Sequence, residues 1–232
     1  MAFEDSSTTE EIPLSKVETE EGFDTFVPEE FRADPFGYFE REGRNIKSGE
    51  VTLDEQGVIK EDPTATKDLP VWHDSQGAEL HTVGKKVNTV KSQIGKSGDP
   101  FYEYLIMKIA REFDLPAPTP VAKAKRGNEH LIVMKKTEGI RWTNEGMRPI
   151  LESGLTEADK QDLLHQAQLI MDTLQQKYEQ IGLHRNWKLK DMIFDVDILN
   201  RKVLAVTPTD WERTKIDTSK LAVARATRLA NS

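Results

Sequence analysis

The stretch "GLHRNWKLKDMIFDVD" (residues 182–197) decides how this chain is read. A glycine suited to ending a helix is followed two residues later by a histidine and a polar run. Apolar residues then alternate with the period of a strand. Shortly after, "TPTDWERT" (207–214) places Asp210 where a second strand should run out. The two pieces read either as a hairpin with capping acids at its ends or as the halves of a site that brings carboxylates together.

Working outward, "TEADKQDLLHQAQLIMDTLQQKYEQIG" (156–182) carries the strongest helical pattern. Thr156 and Asp159 resemble a capping box, and Leu163, Ala167, Ile170, Leu174 and Ile181 form an apolar stripe that Gly182 can terminate. A second helix is expected in "SGDPFYEYLIMKIAREFDLP" (97–116), with Asp99 as cap, Pro100 in the first turn and Pro116 as the stop. Phe101, Leu105 and Ile109 form one apolar line along it, and Ile106, Ala110 and Phe113 the neighbouring one. "TPVAKAKRGNEHLIVMKK" (119–136) reads as a hairpin turning at Arg126-Gly127-Asn128, and 192–212 as another turning near Asn200-Arg201-Lys202. "ELHTVGKKVNTVKSQ" (79–93) suggests two short strands, and 217–232 a short basic helix. The order is strands, helix, hairpin, long helix, hairpin, helix, which is an α+β arrangement in two groups joined near "KKTEGI".

Composition narrows the function classes. Charged residues make up 31% of the 232 and hydrophobic ones 37%, with a net charge of −8. The acidity is local: residues 1–30 hold ten acids against Lys16 alone, which leaves the rest of the chain near +1. Nucleic-acid binding is not expected, because counterion release rewards clustered Lys and Arg. The absence of cysteine excludes disulfides, thiolate nucleophiles and Cys-type metal sites. No apolar run reaches membrane-spanning length, and "MAFEDSSTTEEIP" lacks a signal peptide's basic and apolar regions. The location expected from this is cytoplasmic, with export as an effector as the alternative.

Residues 1–68 are expected to be an acidic, mostly disordered segment that cannot bury enough apolar surface to order itself. Within it, "FDTFVPEEFRADPFGYFERE" (23–42) spaces Phe23, Phe26, Phe31, Phe36 and Phe39 among acids. That segment either packs against the body or docks a protein partner.

The element order and the motif positions resemble the protein-kinase-like superfamily, including aminoglycoside-phosphotransferase-like enzymes and minimal bacterial effector kinases. The resemblance covers roughly residues 79–215. It implies a bilobal fold with a small lobe over 69–138 and a much shortened helical lobe over 139–232. "VNTVK" is similar to the strand whose lysine grips nucleotide phosphates, which makes Lys91 the candidate, and "PFYEYLIMKIAREF" is similar to the helix whose acid pairs with it, which makes Glu103 the candidate. "HLIVMKKTEG" corresponds to the edge strand and hinge beside the adenine, with Met134 and Lys136 in the cofactor-binding stretch. His184 matches the catalytic-loop histidine. Asn186 stands where that loop's carboxylate belongs, and Asp191 stands at its later metal-binding position. Asp210 matches the second metal ligand, so ATP and Mg²⁺, the latter held by Asp191 and Asp210, are the implied cofactors. An amide at 186 cannot accept a hydroxyl proton, which leaves Asp191 as the candidate base.

Three functions follow from this pattern. The first is a small ATP/Mg-dependent phosphotransferase acting on a protein, and the second a catalytically inactive, pseudokinase-like scaffold that docks through its N-terminal segment. The third is nucleotidyl transfer in the same cleft. Simpler alternatives fail on spacing. "IGKSGD" (94–99) lacks the glycine that a phosphate loop needs five residues earlier, where Val90 stands. His73, His81, His130 and His165 have no metal-ligand spacing, and no Gly-x-Ser-x-Gly elbow occurs.

Overall fold

The computed structural model describes residues 15–46, 66–87, 99–142, 146–211 and 213–231. The chain begins with β1 (Lys16–Thr19), a single 3-10 turn (Asp24–Phe26), α1 (Glu29–Ala33), α2 (Pro35–Glu42) and β2 (Arg44–Asn45). It continues through β3 (Thr66–Asp68), β4 (Trp72–His73), β5 (Glu79–Leu80), β6 (Thr82–Val87), α3 (Tyr102–Glu112), β7 (Pro120–Arg126), β8 (Glu129–Lys135) and β9 (Ile140–Arg141). The second half holds α4 (Arg148–Leu151), α5 (Glu157–Gln180), β10 (Leu183–His184), β11 (Met192–Asp197), β12 (Lys202–Pro208), β13 (Lys215–Ile216) and α6 (Thr218–Asn231). The fold class is α+β. Among the described residues, no helix is long and apolar enough to cross a membrane.

The main sheet has six antiparallel strands in the order β1-β7-β8-β6-β3-β2. Its faces explain the unbroken apolar run "LIVM" (131–134) in β8. Ile132 and Met134 join Ile106, Met107 and Ile109 of α3 in one core, whereas Leu131 and Val133 join Phe31, Phe36, Phe39 and Trp72 in the other. A strand covered on both faces has no solvent side on which to place polar residues.

The second core is built by the N-terminal segment. β1 pairs with β7, Lys16 opposite Lys125 and Thr19 opposite Ala122. In α2, Asp34 accepts a hydrogen bond from Gly37 N–H at 2.9 Å, and Pro35 suits the first turn. Phe31 and Phe39 are fully buried and Phe36 nearly so. At about 1.5–3 kcal/mol for each fully buried large apolar side chain, these rings offset much of the cost of ordering the segment. Over 15–46, then, the segment expected to be mostly disordered is a folded layer on the sheet, and its aromatics pack against the body. Residues 1–14 and 47–65 of it lie outside the described residues.

In the other half, the capping box of α5 is formed: Thr156 Oγ1 accepts from Asp159 N–H, and Asp159 Oδ2 accepts from Thr156 N–H at 3.0 Å. Gly182 follows α5 at φ +85°, a conformation that favours glycine. β11 and β12 form a hairpin, with β9 on the other side of β11. The basic α6 meets acids of the body. Arg225 forms a bidentate pair with Glu112 at 2.8 and 2.7 Å, and Arg228 reaches Asp114 at 2.9 Å.

Candidate active site

β6 supplies the first candidate side chain, and strand parity decides which one. Successive residues point to opposite faces. Val83 packs in the α3 core. Gly84 lies so close to Phe39 on the opposite face that an added Cβ would stand 2.7 Å from the ring. Lys85 therefore shares the face of Val83, and Lys86 that of Gly84. Lys85 Nζ is 2.8 Å from Glu103 Oε2 of α3, with side chains only 13% and 5% exposed. Lys86 instead reaches Glu40 of α2 at 2.5 Å. The cation that holds Glu103 is thus Lys85, six residues before Lys91, which lies outside the described residues. The sequence signal for it was the register of "TVGKKV", in which only the first lysine has the parity of Val83.

Glu103 also reaches the second half of the molecule, where its Oε1 accepts the backbone N–H of Trp211 at 3.3 Å. Trp211 directly follows Asp210, so one buried carboxylate links the strand lysine to the segment carrying the candidate metal ligand. An aromatic cluster fixes that segment from below. Tyr178 of α5, Trp187 and Trp211 have ring centroids 4.8 to 5.5 Å apart. Trp187 Nε1 donates to the Asp210 carbonyl at 3.3 Å, and Trp211 Nε1 to the Pro208 carbonyl at 3.0 Å. The Tyr178 hydroxyl donates to the Pro116 carbonyl, and burial pushes its pKa well above the ordinary tyrosine range.

The loop between β10 and β11 faces Asp210. β10 pairs with β13, Leu183 opposite Ile216 and His184 opposite Lys215. At the far end of the loop, the Asp191 carbonyl accepts both the N–H (2.9 Å) and the hydroxyl (3.1 Å) of Thr209, and Asp191 Oδ2 accepts Lys188 N–H at 3.2 Å. His184, Asn186, Asp191 and Asp210 all line one cavity of about 610 Å³. Met134 and Lys136 stand apart from it. Met134 is buried in the α3 core, the Lys136 N–H donates to the His81 carbonyl at 2.8 Å, and its ammonium pairs with Asp68 at 3.1 Å.

Arg185, which stands between the matched His184 and Asn186, lines the same cavity. Its side chain is 7% exposed, and its Nη2 stands 2.6 Å from Asp210 Oδ2 and 3.8 Å from Asp191 Oδ2. The two carboxylates assigned to Mg²⁺ thus converge on one guanidinium. Among the described residues, no group of three or more His, Asp or Glu side chains could hold a metal ion. As they stand, these residues fit a part-buried ion pair and not a divalent cation with its oxygen ligands.

No protein-family model matches this chain, and no curated protein sequence matches it. Solved structures do. One, described as WaaP in complex with acyl carrier protein, is 14% identical, with a TM-score of 0.48 over 90% of this chain and 79% of that one. Another, described as a crystal structure of Rad53 1-466 in complex with AMP-PNP, is 16% identical, with a TM-score of 0.40 over 79% of this chain and 43% of that one. At these identities the likeness is one of overall fold alone.

Proposed function

We propose that the chain is an ATP-dependent phosphotransferase, with its nucleotide cleft between the six-stranded sheet and the β10–β13 region. The observation that carries this reading is the buried Lys85–Glu103 pair tied through Trp211 N–H to the Asp210 segment. Phosphoryl transfer depends on placing cations against phosphate oxygens, and a lysine held by a buried carboxylate is such a cation with its geometry fixed. In this reading Lys85 holds nucleotide phosphate, Glu103 positions Lys85, and the acceptor hydroxyl approaches from the side of Asn186 and Asp191. The acceptor expected from the sequence is a protein. Magnesium takes no part in these steps, because Arg185 stands between the two carboxylates that would bind it.

A second reading is a nucleotide-binding protein without transferase activity. Asn186 favours it, since an amide in the base position accepts no proton.

The test is transfer of labelled γ-phosphate from ATP, to the chain itself and to a mixture of protein acceptors, by wild type and Lys85→Met. Labelling by wild type that falls at least about a hundredfold in the variant supports the phosphotransferase, in line with the loss of one preorganised charge contact. Nucleotide binding without any labelling selects the second reading.

A further inference from the structure

We propose that Arg185 takes the place of the divalent ion, so that the cavity holds nucleotide phosphate through the chain's own cations and without a metal requirement. The proposal rests on the nucleotide reading above and deepens it at the cavity beside the Asp210 segment that Glu103 reaches. Four observations carry it.

The first is position: a guanidinium nitrogen already bridges Asp191 and Asp210, at 3.8 and 2.6 Å. A divalent cation entering there would meet a buried like charge before it met a free carboxylate. The second is an unmet donor. Arg185 Nη1 is buried and has no hydrogen-bond acceptor among the described residues. A buried guanidinium N–H without an acceptor is costly, and a phosphate oxygen is the acceptor its fork geometry suits best.

The third is charge. The cavity is lined by Lys188, Lys190, Arg213 and Lys215 as well as Arg185, against Glu179, Asp191 and Asp210. Five cations against three acids give the lining a cationic excess in a chain whose net charge is −8. A cavity of about 610 Å³ is also of a size that encloses a small anionic ligand. The fourth is rigidity. Arg185 lies one residue after a strand pair (His184 opposite Lys215) and two residues before Trp187 in the aromatic cluster. The guanidinium is held at both flanks, as a fixed ligand-binding charge must be.

The experiment is calorimetric titration of ATP into the full chain, once in excess EDTA and once in MgCl₂, followed by the same pair of titrations on Arg185→Gln. Wild type is expected to bind with dissociation constants that agree within about threefold in the two buffers. A loss of about tenfold or more in EDTA, about 1.4 kcal/mol, overturns the proposal and leaves the phosphotransferase standing. Absence of ATP binding in both buffers overturns the nucleotide reading itself, and this inference with it. In Arg185→Gln the two carboxylates are released, so binding is expected to weaken about tenfold in EDTA and to recover with magnesium. Equal magnesium dependence in variant and wild type counts against Arg185. Should the variant fail to fold, the wild-type pair of titrations alone decides.

Discussion

Replacing Glu103 with alanine tests the structural core of the site. The substitution removes the partner of Lys85, whose side chain is only 13% exposed, and with it the acceptor for Trp211 N–H. A lost hydrogen bond to a charged group accounts for about 1.5–3 kcal/mol. Leaving one member of a buried pair uncompensated raises the total to about 3–5 kcal/mol. The control is Lys16→Ala in the exposed pair with Glu18, whose side chains are 78% and 46% accessible and whose loss should leave stability essentially unchanged. Urea unfolding at neutral pH separates the two cases. With a slope of about 1–3 kcal/mol per molar, Glu103→Ala should lower the midpoint by roughly 1–5 M, and Lys16→Ala should barely move it. Lys85→Met should cost less than Glu103→Ala, because Glu103 keeps the Trp211 N–H. A Glu103→Ala midpoint indistinguishable from that of Lys16→Ala would refute the claim that this pair organises the two halves of the site.

Three further outcomes are expected. Phe31→Ala, at a fully buried ring of the N-terminal layer, should cost about 3–5 kcal/mol, and a cost under about 1 kcal/mol in urea unfolding would detach that layer from the fold. Gly182→Ala must place a Cβ 2.6 Å from the Asp217 carbonyl at φ +85°; a loss of roughly 1–3 kcal/mol and several degrees of melting temperature is expected, and an unchanged melt contradicts the tight turn at Gly182. Burial, with the Lys125 charge adding to it, holds His130 below the ordinary imidazole value of 6.5. The unfolded chain therefore binds the proton first: His130 contributes stability above about pH 6.5 and loses it as pH falls from there toward the depressed folded value. Melting temperatures between pH 7 and 5 should fall more steeply for wild type than for His130→Gln, and parallel curves would show that His130 has no part in the acid sensitivity.

What the sequence showed was what neighbours along the chain dictate. The helix expected within 97–116 forms over Tyr102–Glu112, both hairpins turn where glycine or a short polar run allows, and Thr156 caps α5 as its spacing with Asp159 implied. The apolar stripe of α5 was read nearly complete, with Leu163, Ala167, Leu174 and Ile181 buried, although Met171 and Tyr178 belong to it as well. What local pattern could not show is pairing at long range. β1 finds its partner more than a hundred residues away in β7, so an acidic stretch with no period of its own becomes an edge strand. Lys85 and Arg185, marked only by strand parity and by a place between His184 and Asn186, had partners hidden for the same reason. Each is one cation among several in its stretch until folding sets Lys85 against α3 and Arg185 against two carboxylates from different segments. Glu103, His184, Asn186, Asp191 and Asp210 were candidates from the resemblance, and the last four line one cavity.

Whether nucleotide meets Lys85 decides the function. The most direct measurement is the change in melting temperature of wild type and of Lys85→Met on adding ATP, in a buffer containing MgCl₂ so that no assumption about metal enters. At ATP about a hundred times its dissociation constant, wild type should gain about 2.7 kcal/mol of stability, and the variant should gain little or nothing. An equal gain in both proteins would place the nucleotide away from the Lys85–Glu103 pair, and no gain in wild type would contradict the nucleotide cleft altogether.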